Sequence, residues 1–94
     1  MVVGIIRVEL LIHGSSSLKE KRAVLRRIKD RTRARHNISV AEVECQDLRQ
    51  RAVLGFAAVS NSESDLQRLF NTLRDEVDGI LPGGILEWQE EVLE

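Results

Sequence analysis

Positively charged side chains are concentrated in one stretch of this 94-residue chain. Between Ser17 and Arg35, SLKEKRAVLRRIKDRTRAR, nine Lys or Arg residues accompany two acidic ones. Drawn as an α-helix, at about 100° and about 1.5 Å per residue, five cations fall within a sector of about 80° and along a row of roughly 20 Å. We call this row, Lys19, Arg22, Arg26, Lys29 and Arg33, the basic ridge. A row of that length can address several phosphates of one nucleic-acid strand, so it predicts an RNA-binding or ribosome-binding surface.

The same charges also have a simpler interpretation. Lys and Arg are good helix formers, and Asp30 lies three or four positions from Arg26, Arg27 and Arg33, where it could neutralise them locally. Runs of charge are often solvated faces without a partner. The sequence leaves both interpretations open.

A second candidate site precedes the helix. The loop His13–Ser16 leads into Ser17, which can cap the first turn while Glu20 reaches back in a capping box. Free amides at such a helix end can bind a phosphate or carboxylate, so the anion-binding candidates are Ser15, Ser16, Ser17 and Lys21. Acylphosphatases of the expected topology use a loop here, which is an analogy of fold only. Alternatively, Ser and Gly simply form the turn, and Lys21, central on the apolar side, extends its stem toward solvent.

The sequence shows no pattern of a catalytic, metal or cofactor site. His13, His36 and Cys45 are isolated from one another, and there is no phosphate-binding glycine loop, nucleophile elbow or dinucleotide motif. We therefore expect a binding protein without cofactor or metal rather than an enzyme.

The composition limits the kinds of partner and the cellular location that can be expected. The net charge is −1, but nine of the acidic residues and only two Arg follow Ser62, so charge is segregated along the chain. Three aromatic residues and no Tyr are too few for a base-stacking platform, so any nucleic-acid contact should be to the backbone. The single Cys45 favours a reducing, cytoplasmic location, and the N-terminal apolar run is too short and too charged for a targeting or membrane segment.

Hydrophobic periodicity predicts one domain, residues 1–94, with six elements. Alternating residues predict strands over 2–12, 38–45 (with a bulge or bend), 51–60 and 85–93. Glu90 interrupts the apolar side of the last strand, which favours an early end there. Helical spacing covers 17–35 and, after a turn of cap-forming residues at Asn61–Ser64, a second stretch from Leu66 to Gly79. The order βαββαβ indicates an α+β ferredoxin-like fold, a four-stranded antiparallel sheet with two helices on one face.

The two strands expected at the centre of the sheet are apolar on both sides. Helices cover only one face, so residues on the other face need a cover, which we expect to be a second copy in a two-fold homodimer. The predicted dimer interface contains Val3, Ile5, Val53, Ala57 and Val59.

Three separated stretches carry a resemblance to a known family. RVELLIHGSSSLKEKR at 7–22, SVAEV at 39–43 and QDLRQRAVLGFAAVS at 46–60 resemble the YlxP-like family of small bacterial proteins of unknown function. The resemblance implies a ferredoxin-like fold, a cytoplasmic bacterial protein and an association with translation and ribosome maturation. The chain departs from the family pattern at Arg49, where many relatives have a tryptophan, and at Cys45. The family has no established catalytic residue to carry over.

Overall fold

The computed structural model describes all 94 residues and contains the six predicted elements in the predicted order. The strands are β1 (Val2–Leu11), β2 (Ser39–Glu44), β3 (Arg51–Ser60) and β4 (Ile85–Leu93), and the helices are α1 (Leu18–Arg35) and α2 (Glu63–Ile80). All strand pairs are antiparallel, in the order β2-β3-β1-β4. The ferredoxin-like fold is therefore confirmed.

One hydrophobic core lies between the sheet and both helices. It contains sixteen buried residues, with Ile6 opposite Phe56 at the centre of the β1–β3 pair. Gly4 lies beneath α2, where a Cβ atom would come within 2.6 Å of the Phe70 ring. The absence of a side chain at this position lets α2 pack directly on β1.

The strand ends differ in detail from the sequence prediction. β2 is shorter by one residue at each end than the predicted 38–45, and the expected irregularity is a register shift between Glu42 and Glu44. Cys45, directly after it, has a φ of 64°, which starts the connector to β3. β4 continues past Glu90, whose carboxylate accepts a hydrogen bond from the Trp88 indole at 2.8 Å.

The face of the sheet away from the helices, which we call the open face, has two halves of different character. Around Val3 the surface is apolar, with Ile5 36%, Val59 64% and Leu93 44% exposed, and Ala57 is exposed beside them. The other half carries the ion pairs Arg7–Glu44 and Arg51–Glu9.

Val53 was predicted to be uncovered on the open face and to belong to the dimer interface, but in the structure it is buried. It is only 1% exposed, because its cross-strand partners are Glu9 and Glu44, whose ion pairs to Arg51 and Arg7 flank it. Within the single chain Val53 is thus already covered. In the half of the face that carries the ion pairs, Val43 of β2 is the large apolar side chain that stays exposed, at 48%. Neither helix combines the length and apolar character that crossing a bilayer requires.

Candidate nucleic-acid interface

The basic ridge lies on a stable, well-capped helix. Ser17 Oγ accepts a hydrogen bond from the Glu20 amide at 3.1 Å, and at the other end the His36 amide donates to the Thr32 carbonyl at 3.0 Å. Leu25 and Ile28 anchor the helix in the core. The backbone positions of the ridge are therefore fixed before any partner arrives.

The cations of the basic ridge are not neutralised by the protein. Lys19, Arg22, Arg26 and Arg33 are exposed and Lys29 is half-buried, and none of the five lies within 4.0 Å of a carboxylate oxygen. Asp30, expected as a local partner, also forms no ion pair. The ridge thus presents its positive charge to solvent.

The two flanks of α1 differ in how their charge is used. On the flank toward β2, Arg33 donates a hydrogen bond to the Val40 carbonyl at 2.8 Å, so the ridge runs beside the edge strand of the sheet. On the flank toward α2, Glu76 lies 3.4 Å from Arg35 and 3.0 Å from His36. The acidic helix α2 therefore neutralises the end of that flank and leaves the ridge without a carboxylate partner.

Glu20 occupies the loop that was predicted to bind an anion. Its carboxylate accepts hydrogen bonds from the Ser16 amide at 2.9 Å and the Ser16 hydroxyl at 3.0 Å. These bonds lower the pKa of Glu20 below its usual value. The capping box is thus present, but Glu20 returns to Ser16 rather than to the Ser17 amide. The helix end already holds an anion, its own carboxylate.

Lys21 does not serve as an anion ligand in this structure. It is 1% exposed, and its ammonium donates to the carbonyls of Cys45 at 2.6 Å and Leu48 at 2.7 Å. Its third neighbour is the Glu42 carboxylate, 2.8 Å away. That carboxylate oxygen makes no directed hydrogen bond, so the contact is ionic in character. Lys21 therefore fastens the β2–β3 connector to α1, a role different from both the anion site and the solvent-directed stem predicted from the sequence.

The β2–β3 connector lies against the start of α1. The Arg49 guanidinium donates to the Ser16 carbonyl at 3.4 Å, and the Gln50 amide donates to the Ser15 carbonyl at 3.2 Å. Ser15 itself is buried, and its hydroxyl donates to the Ser17 carbonyl. These contacts place Arg49, an exposed cation, near the first turn of the ridge. Arg49 was not among the residues predicted to bind RNA, although its charge and its position in a polar connector are evident in the sequence.

No group of three His, Cys, Asp or Glu side chains is arranged to hold a metal ion. His13 is exposed, while the half-buried His36 is bound to Glu76. Cys45 is a free, half-buried thiol.

Comparison with solved structures places the fold in a well-populated class. A structural-genomics protein named YJCS superposes with a TM-score of 0.62 at 11% identity, covering 98% of this chain and 99% of that one. A de novo designed protein with a ferredoxin fold gives 0.60 at 10% identity, covering 100% and 86%. At these identities the likeness concerns the fold alone.

Comparison of sequences is more specific. Residues 3–89 match the family described as "Protein of unknown function (DUF503)". The chain is also 44% identical over 72 residues to the uncharacterized protein YlxP of Bacillus subtilis, covering 72% of this chain and 78% of the relative. The resemblance noted in the sequence is confirmed: this chain belongs to the DUF503, or YlxP-like, family.

Proposed function

We propose that this protein is a non-enzymatic, cytoplasmic binding protein whose basic ridge contacts the phosphate backbone of RNA, either free or on the ribosome. One observation carries the proposal: the five ridge cations are fixed on one flank of a capped helix and none is paired with a carboxylate. Releasing condensed counterions from RNA is the main driving force available to such a surface.

The charges outside the ridge also favour binding of RNA through the ridge. Of the nine acidic residues that follow Ser62, five lie in helix α2 and three in strand β4, and Glu94 directly follows that strand. β4 is the sheet edge farthest from β2, beside which the ridge runs. A polyanion approaching the molecule is therefore attracted to the ridge and repelled from the opposite edge.

The test is RNA binding by fluorescence anisotropy across a salt series with the double variant Arg22→Ala/Arg26→Ala. Both side chains are exposed and unpaired, so the fold should be unaffected. Losing two phosphate contacts should weaken binding by about tenfold or more near 0.15 M salt and flatten the slope of log affinity against log salt by about two units.

The matched control is Arg68→Ala/Arg74→Ala, which removes the same charge from α2. Arg68 is paired with Asp65, and Arg74 lies over the Trp88 ring, 5.7 Å from its centroid. This control should bind almost as the wild type does. Equal losses in the two double variants would show a response to net charge only, and an unchanged salt slope in the α1 variant would refute the proposal. Co-sedimentation with ribosomal subunits across the same salt series extends the test to the ribosome.

A second candidate function is self-association through the apolar half of the open face, favoured by the exposure of Ile5, Val59 and Leu93 on neighbouring strands. A substitution at Val53 would not test this association, because Val53 is already buried within the single chain. The change Val59→Glu should convert a dimer to a monomer in sedimentation equilibrium, because a carboxylate would be buried without a partner. Leu86→Glu is the control, since Leu86 is 45% exposed on β4 outside this patch. A Val59→Glu protein that still dimerises would exclude this surface as the contact.

The small-anion or acylphosphatase-like alternative receives less support. Of its four candidate residues, Lys21 already contacts two backbone carbonyls and the Glu42 carboxylate. Ser16 already donates its amide and hydroxyl hydrogen bonds to Glu20. An added phosphate ion would have to displace the protein's own carboxylate.

A further inference from the structure

We infer that the RNA bound by the basic ridge is double-helical, an inference that rests on the proposed function and specifies its substrate class. Proteins that bind single-stranded RNA gain much of their affinity by stacking unpaired bases on aromatic rings. Proteins that bind duplex RNA rely on the shape and charge of its backbone. The placement of the aromatic side chains and of the ridge cations separates these two modes.

No aromatic ring is placed to stack on a base near the ridge. Phe56 is 2% and Phe70 is 1% exposed, both within the core. Trp88 is half-buried on β4, with its ring 6.4 Å from that of Phe56 and the Arg74 guanidinium over it. β4 and β2 are opposite edges of the sheet, so this tryptophan lies far from the ridge.

The open face offers no alternative stacking platform. Its central positions are Val3, Ile5 and Ala57, and its remaining half is occupied by the ion pairs of Arg7 and Arg51. A base laid on this surface would find aliphatic groups and paired charges. A single strand therefore could not recover, through stacking, the conformational entropy it loses on being ordered.

The ridge itself suits a ligand that is already straight. From Lys19 to Arg33 it extends about 21 Å along the axis of α1, at about 1.5 Å per residue. A nucleic-acid duplex presents a rigid array of phosphates, in double-stranded DNA about one per 3.4 Å of axis on each strand. When both surfaces are preorganised, little ordering entropy opposes their contact, whereas a flexible single strand must be straightened along the ridge.

The experiment compares one labelled RNA of about 20 nucleotides, chosen without self-complementarity, with the duplex it forms with its complement. The full chain is titrated by fluorescence anisotropy at about 0.1 M salt. We expect the duplex to bind at least tenfold more tightly, with a steeper salt dependence, and Arg22→Ala/Arg26→Ala to remove most of that advantage. The emission of Trp88, the one tryptophan of the chain, should stay unchanged when either RNA binds.

The outcomes separate this inference from the proposed function. Equal or tighter binding of the single strand, lost in the ridge variant, would overturn the duplex inference and leave the RNA-binding proposal standing. Strong quenching of Trp88 emission by the single strand would overturn it as well, because it would reveal stacking. Failure of both RNAs to bind would refute the proposed function together with the inference.

Discussion

The two helices have equal length and cover the same sheet face, but they differ in charge and in what they bury. α1 has nine Lys or Arg and two acidic residues, whereas α2 has two Arg and five acidic residues. The buried side of α2 is entirely apolar: Leu66, Phe70, Leu73 and Val77. The buried side of α1 also includes Lys21 and Thr32, whose polar atoms need partners. The difference indicates that α2 mainly holds the core together, while α1 combines a smaller apolar contact with a charged outer surface.

The largest expected effect comes from the apolar helix. Replacing Phe70 by Ala should lower the free energy of unfolding by about 3–5 kcal/mol, because the ring is 1% exposed and lies over Gly4, which has no side chain to fill the cavity. Urea unfolding followed by circular dichroism measures the change. The comparison is Arg26→Ala on α1, which should stay within about 0.5 kcal/mol of the wild type. Similar losses in the two variants would contradict the division of roles between the helices.

A somewhat smaller loss is expected at the buried cation of α1. Lys21→Met should cost about 3 kcal/mol, because it leaves the Glu42 carboxylate without its counter-charge and the carbonyls of Cys45 and Leu48 without their donor. This value is at the low end of the range for a broken buried pair, since the Glu42 side chain is 18% exposed.

The matched control for this loss is Lys19→Met, the same change at an exposed position of the same helix. It should be nearly neutral for stability and should weaken RNA binding. The double variant Lys21→Met/Glu42→Leu should recover part of the loss, because it removes the uncompensated carboxylate as well. If Lys21→Met lowered the free energy of unfolding no more than Lys19→Met, Lys21 would not fasten the connector to α1.

Periodic patterns in the sequence were enough to predict the elements and their order. The capping role of Ser17 and the alternation in the strand that contains Phe56 depend on neighbours within a few residues, so they could be read directly. The roles of Lys21 and Val53 could not be predicted from the sequence in this way. Lys21 finds its partners more than twenty positions along the chain, and Val53 is covered by ion pairs that join three strands. Such contacts depend on register and connector geometry, which hydrophobic periodicity does not specify.

The smallest predicted effect concerns pH and the start of α1. Hydrogen bonds from Ser16 lower the pKa of Glu20 in the folded protein below the value near 4.5 expected for the unfolded chain. Ionised Glu20 therefore stabilises the fold fully above that value, and its contribution is lost as the pH falls through the lower folded-state pKa. The stability difference between the wild type and Glu20→Gln should accordingly be constant near neutral pH and shrink toward zero in acid.

Thermal unfolding of the two proteins between pH 7 and pH 2 measures this difference. Asp30→Asn is the control, because it removes an exposed carboxylate of the same helix that forms no ion pair. Its stability curve should run parallel to that of the wild type. A Glu20→Gln curve that also ran parallel would show that the Ser16 contact does not stabilise the folded state. The start of α1 would then be open to an external anion, and the contrast between a self-occupied loop and a free basic ridge would no longer hold.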